Sequence, residues 1–325
     1  MGTSGNPATG GTVLGYDIET WGDTLHGNKG AFGITEIGIG KTVFESNTGL
    51  YKQDGHSLAI GLSKDDANFI YNIVDKYKTN GWNDLTNAEQ VTMKRMSMYA
   101  GNDTNFKNVF MQITEEGSFK NMWSVKQLSE ASMSIEKIER GIENLRKVYD
   151  FGATSESVLP KAMQYLDNMH QNGSILTAAN SMFDTTTLSR YTNGEYTDII
   201  NSLKKDTVDL VYGARTAADV RLISVSKYQD IYHGNRGGGA SVQSLLHSLG
   251  LNQTETHLAI SDINQQIQIL ASRNYANGKT LGGDLQQFFE QVTNPSTGTT
   301  KNFVTTYNNT TLTKTYKADD TLFLK

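Results

Sequence analysis

The chain has no cysteine, and only three prolines in 325 residues. Without thiols it cannot be stapled by disulfides, hold a metal through thiolates or run on a cysteine nucleophile. Charge is scarce too: 29 Lys and Arg stand against 34 Asp and Glu, a net of −5, so bulk charge offers no basic coat for blanket binding to nucleic acid. No apolar run approaches the roughly 18 residues that a membrane-spanning helix needs, and the first residues lack the charged-then-apolar layout of a secretory leader. The expectation is a soluble, cytoplasmic protein with no membrane partner. Hydrophobic residues reach only 37%, with Ser, Thr, Asn, Gln and Gly filling the gap, so the core has to be located segment by segment. The length accommodates one large domain with appendages, or two domains.

What is present divides into segments. Residues 1–11 (MGTSGNPATGG) are small and polar and read as a disordered lead-in. An apolar run over 12–19 ends in two carboxylates, and an alternating run over 32–39 follows a polar turn. Together they predict two antiparallel strands. Helical periodicity covers 64–78, 88–100 and 129–149, the last with Ile135, Ile138, Ile142, Leu145 and Tyr149 on one face. A further helix is expected over 157–171, with Pro160 in its first turn. A buried strand at 174–179 leads into a helix, and a short strand lies at 207–211. Helices are expected at 240–249, 258–273 and 281–292, and a β-hairpin over 303–316 turning at Asn308-Asn309. No repeat of 20–50 residues is visible.

Two glycine motifs invite a phosphate-binding reading. Gly38-Ile39-Gly40-Lys41-Thr42 fails as a Walker loop, because Thr35 stands where that motif needs glycine and no helix pattern follows. Its glycines read as strand and turn residues. Gly237-Gly238-Gly239 reads as a flexible loop, although amides before a helix can also hold a phosphate. The carboxylates say more. Asp17 and Glu19 sit two apart on a strand, so both point to one face and can share a hard divalent cation. Asp184 lies at a strand-to-helix corner, as a third acid or as a helix cap. His257 precedes Asp262 by five residues at the start of an apolar helix. The pair converges only if His257 lies just ahead of that helix, and a capping or surface histidine is the alternative.

Taken in order, these stretches resemble the DEDDh 3′→5′ exonucleases, the family of the proofreading subunit of bacterial DNA polymerase within the ribonuclease H-like superfamily. The likeness rests on YDIETWG with ITEIGIG (16–22 and 34–40), LTAANSMFDTTTL (176–188), TVDLVYGAR (207–215) and SVQSLLHSLGLNQTETHLAISDINQQIQIL (241–270). It implies an α/β fold, a ribonuclease H-like mixed five-stranded sheet flanked by helices, over 12–275. Asp17, Glu19, Asp184 and Asp262 would be the four acids and His257 the general base. Two Mg²⁺ or Mn²⁺ would be held by those acids, Asp184 acting largely through metal-bound water. The implied reaction is hydrolysis of single-stranded DNA or RNA from its 3′ end to nucleoside 5′-monophosphates. Thr20 and Trp21 would hold the terminal nucleotide, Trp21 by stacking on the last base or else by packing on the core. Asn180 and Phe183 join them on the substrate side, and Arg215, Arg221 and Arg236 are guides for the strand.

The chain departs from compact members of that family. Residues of about 46–155 are expected to form a helical insertion, and 276–325 a C-terminal extension carrying the hairpin. Either can dock a larger replication or virion assembly, and the Asn/Thr-rich composition has a phage or bacterial style. Two other functions stay open: a virion or assembly structural protein that keeps the nuclease scaffold, and an oligoribonuclease-like enzyme for short RNA.

Overall fold

Alternation along the first strand decides how the molecule is layered. In β1 (Val13–Thr20) one face carries Leu14, Tyr16 and Ile18, while Gly15, Asp17 and Glu19 take the other. The same division holds over 36–40 of β2 (Ile34–Glu45), which pairs antiparallel with β1 so that Tyr16 faces Ile39, Ile18 faces Ile37, Asp17 faces Gly38 and Glu19 faces Glu36. One side of the pair is therefore apolar, and the other is glycine and acid.

The computed structural model describes residues 13–22, 32–45, 50–100, 133–171, 175–179, 181–210, 242, 259–271, 301–307 and 310–316. Its main sheet has the order β3-β2-β1-β4-β5. β3 (Leu50–Ala59) pairs antiparallel with β2, whereas β4 (Ile175–Ala178) and β5 (Thr207–Asp209) run parallel to β1. The protein is thus α/β, a mixed sheet flanked by helices. The strand β3 adds to the reading of about 46–155 as a helical insertion, since that segment also supplies a strand to the main sheet. LYKQDGHSLA has no clean hydrophobic alternation to announce a strand, and its order comes from ten backbone pairings with β2.

Among the described residues, three helices come next after β3: α1 (Lys64–Asn80), α2 (Asn87–Met98) and α3 (Ile135–Asp150), with a 3₁₀ turn at Trp82–Asp84 between the first two. Each starts where its sequence provides a cap. Ser63 accepts from the Asp66 amide, Thr86 and Glu89 form a reciprocal capping box, and Ser134 accepts from the Lys137 amide. The Ser134 cap starts α3 later than its periodicity predicts, and residues 129–132 lie outside the described residues. Ile138, Ile142 and Leu145 of α3 bury against Ile70, Ile73 and Val74 of α1 and Met93 and Met96 of α2. At Gly141 a Cβ would come within 1.9 Å of the Met96 carbonyl oxygen, so α2 and α3 touch backbone to backbone.

The apolar face of the sheet is closed by α4 (Ser155–Gln171), α6 (Thr197–Asp206) and Leu188 of α5 (Ser181–Tyr191). Their Val158, Ala162, Met163, Ile200 and Leu203 share one core with Leu14, Tyr16, Ile18, Ile37 and Ile39. Each of the Val, Leu, Ile and Met side chains contributes about 1.5–3 kcal/mol by leaving water. Pro160 is the sixth residue of α4, past the first turn expected for it, because the helix begins at Ser155. The Tyr16 hydroxyl meets Thr207 Oγ1 at 2.8 Å under the sheet, tying β1 to β5. Over the opposite, glycine-bearing face lies α7 (Ala259–Ala271). A separate antiparallel pair, β6 (Lys301–Tyr307) and β7 (Thr310–Tyr316), is in register from Lys301–Tyr316 to Tyr307–Thr310. The expected turn at 308–309, the helices at 240–249 and 281–292 and the lead-in 1–11 lie outside the described residues, apart from Val242.

Candidate functional site

Three glycines let a helix settle on the acidic face. A Cβ on Gly15 would stand 2.8 Å from Ile263 Cγ2, one on Gly40 2.3 Å from the same atom, and one on Gly38 2.8 Å from the backbone carbonyl carbon of Ala259. Side chains at any of the three would lift α7 off the sheet. Gly38 and Gly40, read from sequence as strand and turn residues, have this close approach as their structural reason.

The helix start is fixed by a carboxylate from the sheet. The Ala259 amide donates to Glu36 Oε2 at 3.1 Å, which satisfies one of the N–H groups left open in a first turn. Asp262 belongs to that turn, where the positive end of the helix favours a carboxylate. It is thereby delivered over β1. Asp17, Glu19 and Asp262 each offer a carboxylate oxygen, and these three atoms lie within 4.8 Å of one another. Glu19 and Asp262 are buried and Asp17 is half-buried.

Such a group resists its own charge. At an effective dielectric of about 20, two carboxylates ~4.8 Å apart repel by about 3 kcal/mol. Two devices in the structure answer this. Arg95, from the last turn of α2, donates through Nη1 to Glu19 Oε2. Glu36, 1% exposed, escapes ionisation: burial first, then the neighbouring Glu19 charge, push its carboxyl up to about 8. Its Oε1 has no hydrogen-bond partner. The end of α2 is tied to the same region of the sheet, since the buried Tyr99 hydroxyl meets Thr35 Oγ1 at 2.7 Å and Asn144 of α3 donates to the Tyr99 carbonyl at 2.9 Å.

The donor set suits a hard divalent cation, being all carboxylate oxygen. In an octahedral Mg²⁺ shell with bonds of ~2.1 Å, oxygens are at most about 4.2 Å apart. Neighbouring ligands in such a shell stand about 3.0 Å apart, so oxygens that lie within 4.8 Å of one another would draw together by rotation of their side chains to share one ion.

Of the acids singled out in the sequence, Asp17, Glu19 and Asp262 come together. Asp184 is 1% exposed in the first turn of α5, on the helix that follows β4. It is the fourth residue of that helix, so it is not its N-cap. His257 and Asn180 lie outside the described residues, as do Arg215, Arg221 and Arg236. Thr20 is buried, its hydroxyl donating to the Gly22 carbonyl at 3.0 Å. For Trp21 the structure selects packing over base stacking. The ring is 1% exposed among the α1–α3 residues, with its centroid 6.0 Å from that of Phe69, and its Nε1 stands where a Gly33 Cβ would be. Phe183 is half-buried in the first turn of α5.

Sequence reading passed over Glu36 and Arg95. Period two placed Glu36 on the face of Gly38 and Gly40, and this signal was available. Arg95 carries no signal of its own, since it reaches Glu19 only through the packing of α2. No protein-family model, curated protein or solved structure matches this chain.

Proposed function

We propose that the protein is a metal-dependent 3′→5′ exonuclease that hydrolyses single-stranded DNA or RNA to nucleoside 5′-monophosphates, on a ribonuclease H-like sheet. The observation that carries this reading is the convergence of Asp17, Glu19 and Asp262, residues from opposite ends of the chain, into one carboxylate group under the N-terminus of α7. Their order along the chain resembles that of the exonuclease motifs. A purely structural descendant has no physical need to hold three acids this close, at a cost of kcal/mol in repulsion.

In this reading Asp17, Glu19 and Asp262 hold two Mg²⁺ or Mn²⁺ ions, with Asp184 supporting them through water. When bound, the ions supply charge stabilisation for the attacking and leaving oxygens of an in-line displacement at phosphorus. Asp17 and Glu19 are held to one face of the sheet by their places in β1. Glu36 holds the first turn of α7, so Asp262 arrives already oriented. His257, two residues before that helix, takes the proton from the attacking water, a task suited to a neutral imidazole near pH 7. Phe183, half-buried on the helix that carries Asp184, borders the terminal nucleotide, while Thr20 holds the end of β1 through the Gly22 carbonyl.

The test is a digestion assay on matched DNA and RNA oligomers labelled internally, with dinucleotides included to detect a preference for very short RNA. Mn²⁺-dependent release of 5′-mononucleotides from the 3′ end is expected, with a loss of at least about 10³-fold in Asp17→Asn and Asp262→Asn, as befits removal of an ion ligand. Digestion that persists in EDTA rejects the proposal, as does an inert wild type that binds no divalent ion.

A further inference from the structure

The helical layer reaches into the carboxylate site with a charge of its own. Arg95 leaves the last turn of α2 and donates to Glu19, one of the three clustered acids. It does so from a fixed base: Gly141 brings α3 against the Met96 carbonyl, Tyr99 binds Thr35, and Thr35 neighbours Glu36 in β2. A second feature lies at the same place. Glu36 is 1% exposed, interacts electrostatically with Glu19 and Asp262, and keeps an oxygen with no hydrogen-bond partner.

We propose that Arg95 is a built-in counter-cation of this site, which competes with a divalent ion for Glu19 and thereby sets how tightly the site loads. The inference rests on the metal-dependent reading above and adds a regulator to it. Two effects of the guanidinium oppose each other. Its hydrogen bond orients Glu19, and loss of such an outer contact weakens metal affinity, by about 10- to 100-fold in known sites. Its charge repels the incoming ion across a few ångströms, in a partly buried setting where water screens little. A unit charge against a double charge at that range outweighs one hydrogen bond, so the repulsion decides. The helical layer thus sets the ion concentration at which the site fills.

Calorimetric titration of the full chain with Mn²⁺, after EDTA treatment and dialysis, separates the two effects. Arg95→Gln is expected to bind at least about tenfold tighter than wild type, and Arg95→Lys, which keeps the charge, within about threefold of it. Equal or weaker binding by Arg95→Gln overturns the counter-cation while leaving the nuclease reading standing. An absence of Mn²⁺ binding in wild type and both variants overturns the two together. Should Arg95→Gln not fold, the wild type answers by nuclear magnetic resonance of labelled arginine. The slowly exchanging guanidinium signal that is missing from Arg95→Lys is expected to disappear as Mg²⁺ saturates the site, and its persistence at saturation overturns the proposal.

Discussion

Glu36 is a buried acid that does not behave as one. Its carboxyl is pushed from an ordinary 4.5 up to about 8, by burial and then by Glu19, with Asp262 adding to the rise and the Ala259 amide and Arg95 opposing it. The folded chain therefore keeps a proton that the unfolded chain releases between about pH 4.5 and 8. Stability falls as pH rises through that window and levels off above it. Glu36→Gln cannot ionise and still offers an oxygen to the Ala259 amide. In EDTA, urea unfolding of this variant should match wild type near pH 4.5 and exceed it by up to a few kcal/mol at pH 8. Parallel pH profiles for the two proteins would show that Glu36 is not protonated in the fold. Residue-scale features of this kind were only partly legible. Asp17, Glu19 and Asp262 announced themselves by spacing and setting, whereas the environment that raises Glu36 exists only after α7 has landed.

At the scale of elements, the seat of α7 depends on what β1 and β2 lack. Gly15, Gly38 and Gly40 form a bare strip, and Ala259 and Ile263 fill it. Gly38→Ala places a methyl group against the Ala259 backbone, which a rotamer change cannot relieve. This substitution should cost about 1–3 kcal/mol in unfolding free energy. It should also weaken Mn²⁺ binding, because Asp262 moves with the helix. A variant that kept wild-type affinity would separate the seat of α7 from the acid it carries. Helices α1 to α4 were readable from period, while their exact starts were not: Ser134 caps α3 and α4 begins at Ser155. β3 was not readable, because a strand held mainly by backbone pairing to its neighbour leaves little trace in side-chain pattern. Trp21 shows the same limit: an aromatic after a motif acid serves a base or a core equally well until α1 supplies Phe69 beside it.

Across the whole molecule, the sheet separates two environments that its strands encode by alternation. One face is sealed by α4, α5 and α6 around an apolar core, and the other holds acids and glycines beneath α7, with Arg95 of the helical layer reaching in. Among the described residues no helix is long and apolar enough to cross a membrane. The net charge of −5 coexists with nucleic-acid chemistry in the proposed reading, since divalent ions convert the acidic face into one that attracts phosphate. The most direct measurement is anomalous diffraction from crystals grown with Mn²⁺. The result expected is a peak bonded by Asp17, Glu19 and Asp262 at about 2.1–2.2 Å, with a second ion beside Asp17. A well-ordered site with those side chains in place and no peak among them would contradict the proposed chemistry.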